Sequence, residues 1–117
     1  MTTQSAAAIY ALVPCAGVGE RAGASGPKQY ALVGDRTVVA HTLAALARVA
    51  RVARTLVVLA PTDTQFEAAA PEFGGLVERV GGATRAATVS AGLSALKRRG
   101  AHDDDWVLVH DAARCLV

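Results

Sequence analysis

The sequence predicts an α/β fold in which a mostly parallel sheet is covered by helices on both faces. Two observations predict it. Four apolar runs have the length of buried strands, and their near-continuous apolarity is typical of parallel strands that are covered on both sides. Helical patterns lie between these runs, and such an alternation produces βαβ units with right-handed crossovers. At 117 residues the chain is long enough for one domain with one core, which we assign to residues 1–117.

The strand candidates share a high content of Val, Leu and Ala. They are Ile9–Val13, Thr55–Ala60, Leu76–Val80 and Trp106–His110. The helix candidates place apolar residues at intervals of three and four. They are Thr37–Ala50, Gln65–Ala70 and Thr88–Arg99. Thr37 can cap the first helix, Thr62, Asp63 and Thr64 are cap candidates for the second, and Gly100 is a natural stop for the third.

Composition and charge exclude several classes of protein. The chain is 52% hydrophobic and 19% charged, which indicates a globular rather than a disordered protein. A formal net charge of +2 gives no case for a general nucleic-acid surface. No window approaches the roughly 18 apolar residues of a membrane span. The first eight residues hold no basic residue and make a poor signal peptide, so we expect a cytoplasmic protein. We therefore expect Cys15 and Cys115 to be free thiols.

A long glycine-rich loop follows the first predicted strand. The segment Val13–Gln29 contains four glycines together with Arg21 and Lys28. It lacks the Gly-Lys-Ser/Thr ending of a Walker A loop, and its third glycine, Gly23, comes one residue late for a dinucleotide fingerprint. What remains is a cationic loop whose backbone N–H groups can bind a polyphosphate.

Two further polar segments follow predicted strands. Gly81–Arg85 comes after the third strand and Asp111–Arg114 after the fourth. Because ligands bind at the carboxyl ends of the strands in such sheets, we expect both segments to meet the glycine loop at one edge. A single carboxylate there, Asp111, suits one Mg²⁺ that is also bound by substrate phosphates.

Three segments in this order resemble one enzyme family, the 2-C-methyl-D-erythritol 4-phosphate cytidylyltransferases. The opening loop is similar to that family's Pro-Ala-Ala-Gly-x-Gly-x-Arg…Pro-Lys-Gln pattern, with Cys15 in place of the usual alanine. Gly81–Val89 resembles its Gly-Gly-x-x-Arg-x-x-Ser-Val segment, with Thr88 for serine. Val107–Arg114 resembles its Val-Leu-Val-His-Asp-Ala-Ala-Arg segment, and His41–Leu43 also fits. The resemblance covers the chain from Ile9 onward.

The resemblance implies a Rossmann-like three-layer sandwich and a set of site residues. Arg21 and Lys28 match the catalytic, charge-stabilising residues, Asp111 matches the Mg²⁺ ligand, and Arg114 matches a position near the substrate phosphates. The matches to the nucleotide-binding residues are Pro14, Cys15, Ala16, Gly17, Gly19, Gly82, Ala83, Arg85 and Thr88. Within that set, Gly82, Ala83 and Thr88 match the part that recognises cytosine and ribose.

The implied reaction transfers a cytidylyl group from CTP to methylerythritol phosphate, with release of pyrophosphate, in isoprenoid precursor synthesis. Family members are about twice as long, and their second half supplies acceptor contacts, a second lysine and a dimerisation arm. We therefore expect a fold truncated after the fourth strand, an exposed edge at that strand and little activity from this chain alone; the complete protein is expected to be a homodimer. Two alternatives stay open: a cytidylyl- or nucleotidyltransferase with another acceptor, such as ribitol phosphate, and a non-catalytic nucleotide-binding fragment.

Overall fold

A computed structural model of the chain describes residues 7–16 and 28–113. Within those ranges a short 3₁₀ turn covers Lys28–Tyr30. In chain order the other elements are β1 (Ile9–Cys15), β2 (Leu32–Val33), β3 (Arg36–Thr37), α1 (Val38–Ala47), β4 (Val52–Leu59), α2 (Phe66–Ala69), β5 (Leu76–Glu78), α3 (Arg85–Arg98) and β6 (Trp106–Val109). The four predicted strands and three predicted helices are thus all present, with ends that differ by up to three residues.

The main sheet is parallel and has the strand order β5-β4-β1-β6. β1 lies in its centre and pairs with β4 along its whole length, from Ile9 beside Val52 to Cys15 beside Leu59. On its other side β1 pairs with β6. The prediction of a parallel sheet is therefore confirmed. In this order β6 is an edge strand of the described sheet, as the sequence predicts.

Helices cover both faces of the central strands, which confirms the three-layer architecture. Ala11, Val13 and Cys15 of β1 are buried in one cluster with residues of α1 and α2. Leu12 points the opposite way and is buried with Ala95 and Leu96 of α3. The two-residue alternation of a strand thus divides one apolar run between two helix layers.

Helix α3 lies very close to the sheet at Gly92. A Cβ atom at this position would come within 2.7 Å of Leu12 Cδ1 and 2.8 Å of Val58 Cγ2. Both neighbours are fully buried, so glycine is what permits this close approach.

Three features differ from the sequence predictions. Helix α3 begins at Arg85 rather than Thr88, because the Thr84 hydroxyl accepts a hydrogen bond from Ala87 N and caps the helix there. A small antiparallel hairpin of β2 and β3, which the patterns did not predict, precedes α1. Finally, β6 is not covered on both faces: Trp106 is 70% exposed and Leu108, two residues further along the same face, is 46% exposed.

Within the described ranges, none of the helices has the length and apolarity that crossing a membrane requires.

Candidate functional site

A cavity of about 220 Å³ lies where the carboxyl ends of β1 and β6 meet the segment that leads from β5 to α3. Eight of the residues that the sequence predicts for nucleotide or metal binding line it. They are Pro14, Cys15, Ala16, Gly82, Ala83, Arg85, Thr88 and Asp111. The predicted convergence of three chain segments at one edge of the sheet is therefore confirmed.

The segment that begins at Gly81, between β5 and α3, lies against the ends of both β4 and β1. Gly81 N donates a hydrogen bond to Leu59 O at 2.8 Å, which holds the segment against the end of β4. A Cβ atom on Gly81 would lie 2.5 Å from Ala16 Cβ and 2.8 Å from Leu59 O. Because real Cβ atoms do not approach backbone so closely, only glycine allows this segment to pass beside Ala16.

Thr88 fixes the shape of the same segment. Its hydroxyl accepts a hydrogen bond from Gly82 N at 3.1 Å and lies 3.4 Å from Gly82 O, to which it donates. The side chain is almost completely buried. Thr88 thus satisfies both backbone groups of Gly82 from the first turns of α3, and its direct effect is on the position of Gly82 and Ala83.

The start of α3 brings a positive charge to the cavity. Arg85 is the first residue of the helix, and its Nε donates to Asp111 Oδ1 at 2.7 Å. Helix N-termini favour anions, because their backbone N–H groups are unpaired and the helix dipole is positive there. The cavity therefore combines an arginine, a helix N-terminus and one carboxylate.

Asp111 is held in place by a buried contact from α1. The Thr42 hydroxyl donates to Ala112 O at 2.9 Å, and Thr42 is completely buried. This bond joins residues 70 positions apart and fixes the backbone immediately after Asp111. The match of His41–Leu43 to the family pattern thus has a structural counterpart in Thr42.

The donor set suits one magnesium ion that shares its ligands with a substrate. Among the described residues no group of three or more His, Cys, Asp and Glu side chains could bind a metal on its own. Mg²⁺ does not need such a group, because it usually binds one or two carboxylates together with phosphate oxygens and water. Asp111, a partly exposed carboxylate at the cavity, fits this requirement.

The structure describes one of the two predicted catalytic cations. Lys28 is exposed at the start of the 3₁₀ turn and is not among the residues that line the cavity, although its neighbour Gln29 is. Gly17, Gly19, Arg21 and Arg114 lie outside the described residues, as does Cys115.

Four lining residues, Gln29, Thr84, Ala112 and Ala113, were not among the predicted site residues. Gln29 belongs to the Pro-Lys-Gln pattern of the opening loop, which therefore contained the signal. Thr84 is a favoured N-cap residue type, but it was overlooked because the predicted helix began later.

Cys15 is a free and buried thiol, as predicted. Burial raises its pKa to about 12, an effect that the hydrogen bond with Tyr30 partly offsets and the charge of Asp63 reinforces. The thiol is therefore neutral at physiological pH and contributes to packing rather than to nucleophilic chemistry.

A larger groove, of about 1020 Å³, lies at the opposite end of the sheet, beside the amino ends of β4 and β5. None of the predicted site residues that the structure describes lines this groove. Its position excludes it as the predicted nucleotide site, since that site requires the carboxyl ends of the strands.

The chain is similar to several known proteins. The chain is 57% identical over 109 residues to the bifunctional enzyme IspD/IspF of Albidiferax ferrireducens, covering 92% of this chain and 26% of that protein. It is 55% identical over 109 residues to the 2-C-methyl-D-erythritol 4-phosphate cytidylyltransferase of Paraburkholderia phymatum, covering 91% of this chain and 45% of that one. The chain therefore spans less than half the length of these two relatives.

Solved structures agree with these relatives. A crystal structure of 4-diphosphocytidyl-2C-methyl-D-erythritol synthase superposes with a TM-score of 0.80 at 38% identity, over 97% of this chain and 50% of that one. The IspD structure from Francisella tularensis gives a TM-score of 0.70 at 28% identity, over 95% of this chain and 46% of that one.

The family model described as "IspD: 2-C-methyl-D-erythritol 4-phosphate cytidylyltransferase" matches residues 9–117. With the strand-end cavity and these relatives, that match shows that the chain belongs to the IspD family of 2-C-methyl-D-erythritol 4-phosphate cytidylyltransferases.

Proposed function

We propose that this chain provides the CTP-binding part of an enzyme that transfers a cytidylyl group from CTP to 2-C-methyl-D-erythritol 4-phosphate and releases pyrophosphate. The observation that carries the proposal is the cavity in which the ends of two strands and the start of α3 meet. Its arginine, helix N-terminus and single carboxylate are what a magnesium-bound triphosphate requires. The family's name supplies the identity of the two substrates.

The proposed reaction is one displacement at the α-phosphorus of CTP. A phosphate oxygen of methylerythritol phosphate forms the new bond to that phosphorus. The bond from the α-phosphorus to the bridging oxygen breaks, and its electron pair leaves with pyrophosphate. The attacking phosphate monoester is already anionic at neutral pH, so neither a general base nor a covalent intermediate is needed. The task of the protein is to position the groups and to stabilise the negative charge that develops.

The charge-stabilising roles are assigned from the match to the family pattern. We assign Arg21 and Lys28 to the α-phosphate, Arg85 and the glycine-loop backbone to the triphosphate, and Arg114 to the neighbourhood of the substrate phosphates. Asp111 would hold Mg²⁺, which when bound neutralises part of the triphosphate charge and that of the departing pyrophosphate. Gly82 and Ala83, shaped by Thr88, would contact cytosine and ribose.

Calorimetry with CTP and Mg²⁺ tests the nucleotide site in this chain. We expect measurable binding of CTP and clearly weaker binding of ATP, because the segment around Gly82 would select the base. Equal signals from CTP and ATP would count against base recognition, and no signal from either nucleotide would overturn the proposed site.

A turnover assay tests the role of Lys28. The assay uses a chimera that joins this chain to the second half of the Paraburkholderia phymatum relative and follows pyrophosphate release from CTP and methylerythritol phosphate. Lys28→Ala should lower kcat by about 100-fold or more while CTP affinity changes little, as expected for a contact that strengthens in the transition state. Lys97, the one other lysine of the chain, lies at the end of α3, so Lys97→Ala is the matched control. Equal losses of kcat and of CTP affinity in Lys28→Ala would contradict this role.

A cytoplasmic location and a homodimeric complete protein remain predictions from the sequence.

A further inference from the structure

A chain of hydrogen bonds links three separate segments beneath the Lys28–Tyr30 turn. The Tyr30 hydroxyl donates to Asp63 Oδ2 at 2.5 Å. The thiol of Cys15, at the end of β1, in turn donates to the Tyr30 oxygen at 3.8 Å. The Tyr30 hydroxyl therefore lies between the central strand and the loop that precedes α2.

Asp63 is a rigid acceptor. Its other carboxylate oxygen, Oδ1, accepts hydrogen bonds from Gln65 N at 2.8 Å and Phe66 N at 3.0 Å at the start of α2. Its own backbone N–H donates to Ala60 O at 3.1 Å, just beyond the end of β4. Because the carboxylate and the backbone of Asp63 are both held by hydrogen bonds, the carboxylate can fix the position of the Tyr30 hydroxyl.

The residue between Lys28 and Tyr30 is also tied to the sheet. Gln29 is 6% exposed, and its Nε2 donates to Cys15 O at 3.4 Å. Within the turn itself, Ala31 N donates to Lys28 O at 3.1 Å. The backbone of Lys28 is thus fixed by its neighbours, while its side chain is exposed beside a residue that lines the cavity.

We infer that Tyr30 and Asp63 are positioning residues for Lys28. Their mutual hydrogen bond fixes the Lys28–Tyr30 turn and thereby the backbone of Lys28. The inference rests on the proposed function, in which Lys28 stabilises charge at the α-phosphate of CTP. A lysine with a long, flexible side chain loses less conformational entropy on binding when its backbone is already fixed. The hydrogen bond from the Tyr30 phenol to the Asp63 carboxylate is charge-assisted and therefore strong, so it provides such a fixed point.

The protonation state of the Tyr30 hydroxyl agrees with this assignment. Burial, followed by the hydrogen bond to Asp63, raises the pKa of Tyr30 above its ordinary value. Its hydroxyl therefore stays protonated at neutral pH and remains a donor to Asp63. The ring packs against the core cluster that lies on the α1 side of the sheet, so removal of the hydroxyl alone leaves that packing intact.

The test compares Tyr30→Phe, Asp63→Asn and the wild-type chain by NMR, with saturating CTP and Mg²⁺. Asparagine retains an oxygen for the start of α2 but loses the charge that strengthens the bond to Tyr30. Tyr10→Phe is the matched control, because Tyr10 packs on the opposite, α3 side of the sheet. Signals are followed for the Lys28 side chain and for the amides of Gly82 and Thr88.

In the wild-type chain, CTP should shift the signals of Lys28 and of Gly82 and Thr88. In Tyr30→Phe and Asp63→Asn the Lys28 shift should fall by half or more, while the Gly82 and Thr88 shifts remain. Hydrogen exchange at Ala31 N, which is bonded to Lys28 O, should become about 10-fold faster in both variants. Tyr10→Phe should leave every one of these signals as in the wild type.

If the Lys28 shift is unchanged in Tyr30→Phe, the inference is overturned and the proposed function stands. The same holds if the Lys28 shift falls as much in Tyr10→Phe as in Tyr30→Phe. A wild-type chain in which CTP shifts none of the cavity signals overturns the proposed function and, with it, this inference. A wild-type chain in which Gly82 and Thr88 shift but Lys28 does not retains the nucleotide site and overturns the role of Lys28 together with that of its positioning pair.

Discussion

Arg85 and Asp111 form an ion pair at the cavity, with Arg85 Nε 2.7 Å from Asp111 Oδ1. The pair joins the first residue of α3 to the residue that follows β6 by two positions, and so connects two of the three converging segments. The side chains are 59% and 32% exposed, and ion pairs of this kind contribute at most about 1 kcal/mol to stability. The pair can therefore rearrange at little cost when a phosphate and a cation enter the cavity.

The first prediction concerns Asp111→Asn and the magnesium dependence of CTP binding. In the wild-type chain Mg²⁺ should strengthen CTP binding, because Asp111 and the phosphates bind the ion together. In Asp111→Asn this enhancement should disappear. Without Mg²⁺ the variant should bind CTP at least as well as the wild type, since Arg85 no longer has an anionic partner. Calorimetry with and without Mg²⁺ measures both effects.

The control for this prediction is Asp103→Asn. Asp103 is exposed and pairs with Lys97 Nζ at 3.0 Å, beyond the end of α3. In the Asp103→Asn variant, Mg²⁺ should strengthen CTP binding as much as in the wild type. If Mg²⁺ strengthens CTP binding equally in Asp111→Asn and in the wild type, Asp111 is not the magnesium ligand.

A second prediction separates the contribution of the Thr88 hydroxyl from that of its methyl group. Thr88→Val removes the hydroxyl that pairs with both backbone groups of Gly82, so the segment should loosen and CTP affinity should fall about 5- to 10-fold. Thr88→Ser retains the hydroxyl and should bind CTP like the wild type. Calorimetric titration of both variants checks this. A loss of affinity in the serine variant with none in the valine variant would show that the methyl group matters rather than the hydrogen bonds.

The strand ends could be predicted from the sequence because the signals there are local. An apolar run that stops at a glycine, or at an aspartate such as Asp111, shows where a strand ends, and parallel topology then places those ends at one edge. The alternation within β1 was less visible, since both faces of that strand are apolar. Even so, near-continuous apolarity was itself the correct signal for a strand that is covered on both sides.

The contacts that position the site could not be predicted in the same way. The bonds from Tyr30 to Asp63 and from Thr42 to Ala112 join residues 33 and 70 positions apart, and such pairs depend on how helices pack on the sheet. The early start of α3 was missed for a local reason: Thr84 and Thr88 are both good cap residues, and the apolar period begins only at Val89. The hairpin was missed because strands of two residues are too short to show alternation, although the turn between them contains Gly34, with a φ of 71°.

A third prediction tests the contact that holds the backbone after Asp111. Thr42→Val keeps the shape of the side chain but leaves the carbonyl of the buried residue Ala112 without its donor. Loss of a partner for a buried carbonyl costs about 1–3 kcal/mol of the free energy of unfolding. Thr42→Ser keeps the hydroxyl and should lose less. Urea denaturation of both variants gives the comparison, and a valine variant as stable as the wild type would contradict the importance of this bond.

A fourth prediction concerns the close approach of α3 to the sheet. Gly92→Ala would place a methyl group against Leu12 and Val58, and overpacking of this kind costs about 1–3 kcal/mol. Alanine recovers about 1 kcal/mol of helix propensity, so the net loss should be up to about 2 kcal/mol. Ser94→Ala, on the exposed face of the same helix, is the control and should be neutral or slightly stabilising. A Gly92→Ala variant that gains stability in urea would show that α3 can move away from the sheet without cost.

The last prediction follows from the raised pKa of Cys15. The thiol of an unfolded chain ionises near its ordinary pKa of 9.0, whereas burial delays ionisation in the folded chain to about 12. The neutral thiol therefore contributes its full share of stability below pH 9, and this share is lost as the pH rises from 9 towards 12. Under reducing conditions, the free energy of unfolding of the wild type should fall more steeply over that range than that of Cys15→Ala, which has no thiol to ionise. Tyr30 also titrates late and is present in both proteins, but Cys15 contributes to its raised pKa, so the difference between the slopes measures the thiol together with its effect on Tyr30. Alkylation in a Cys115→Ser background gives an independent check. At pH 8 the reagent should label Cys15 rapidly in urea and only very slowly in the folded chain. Rapid labelling of the folded chain would show that the thiol is not protected by burial.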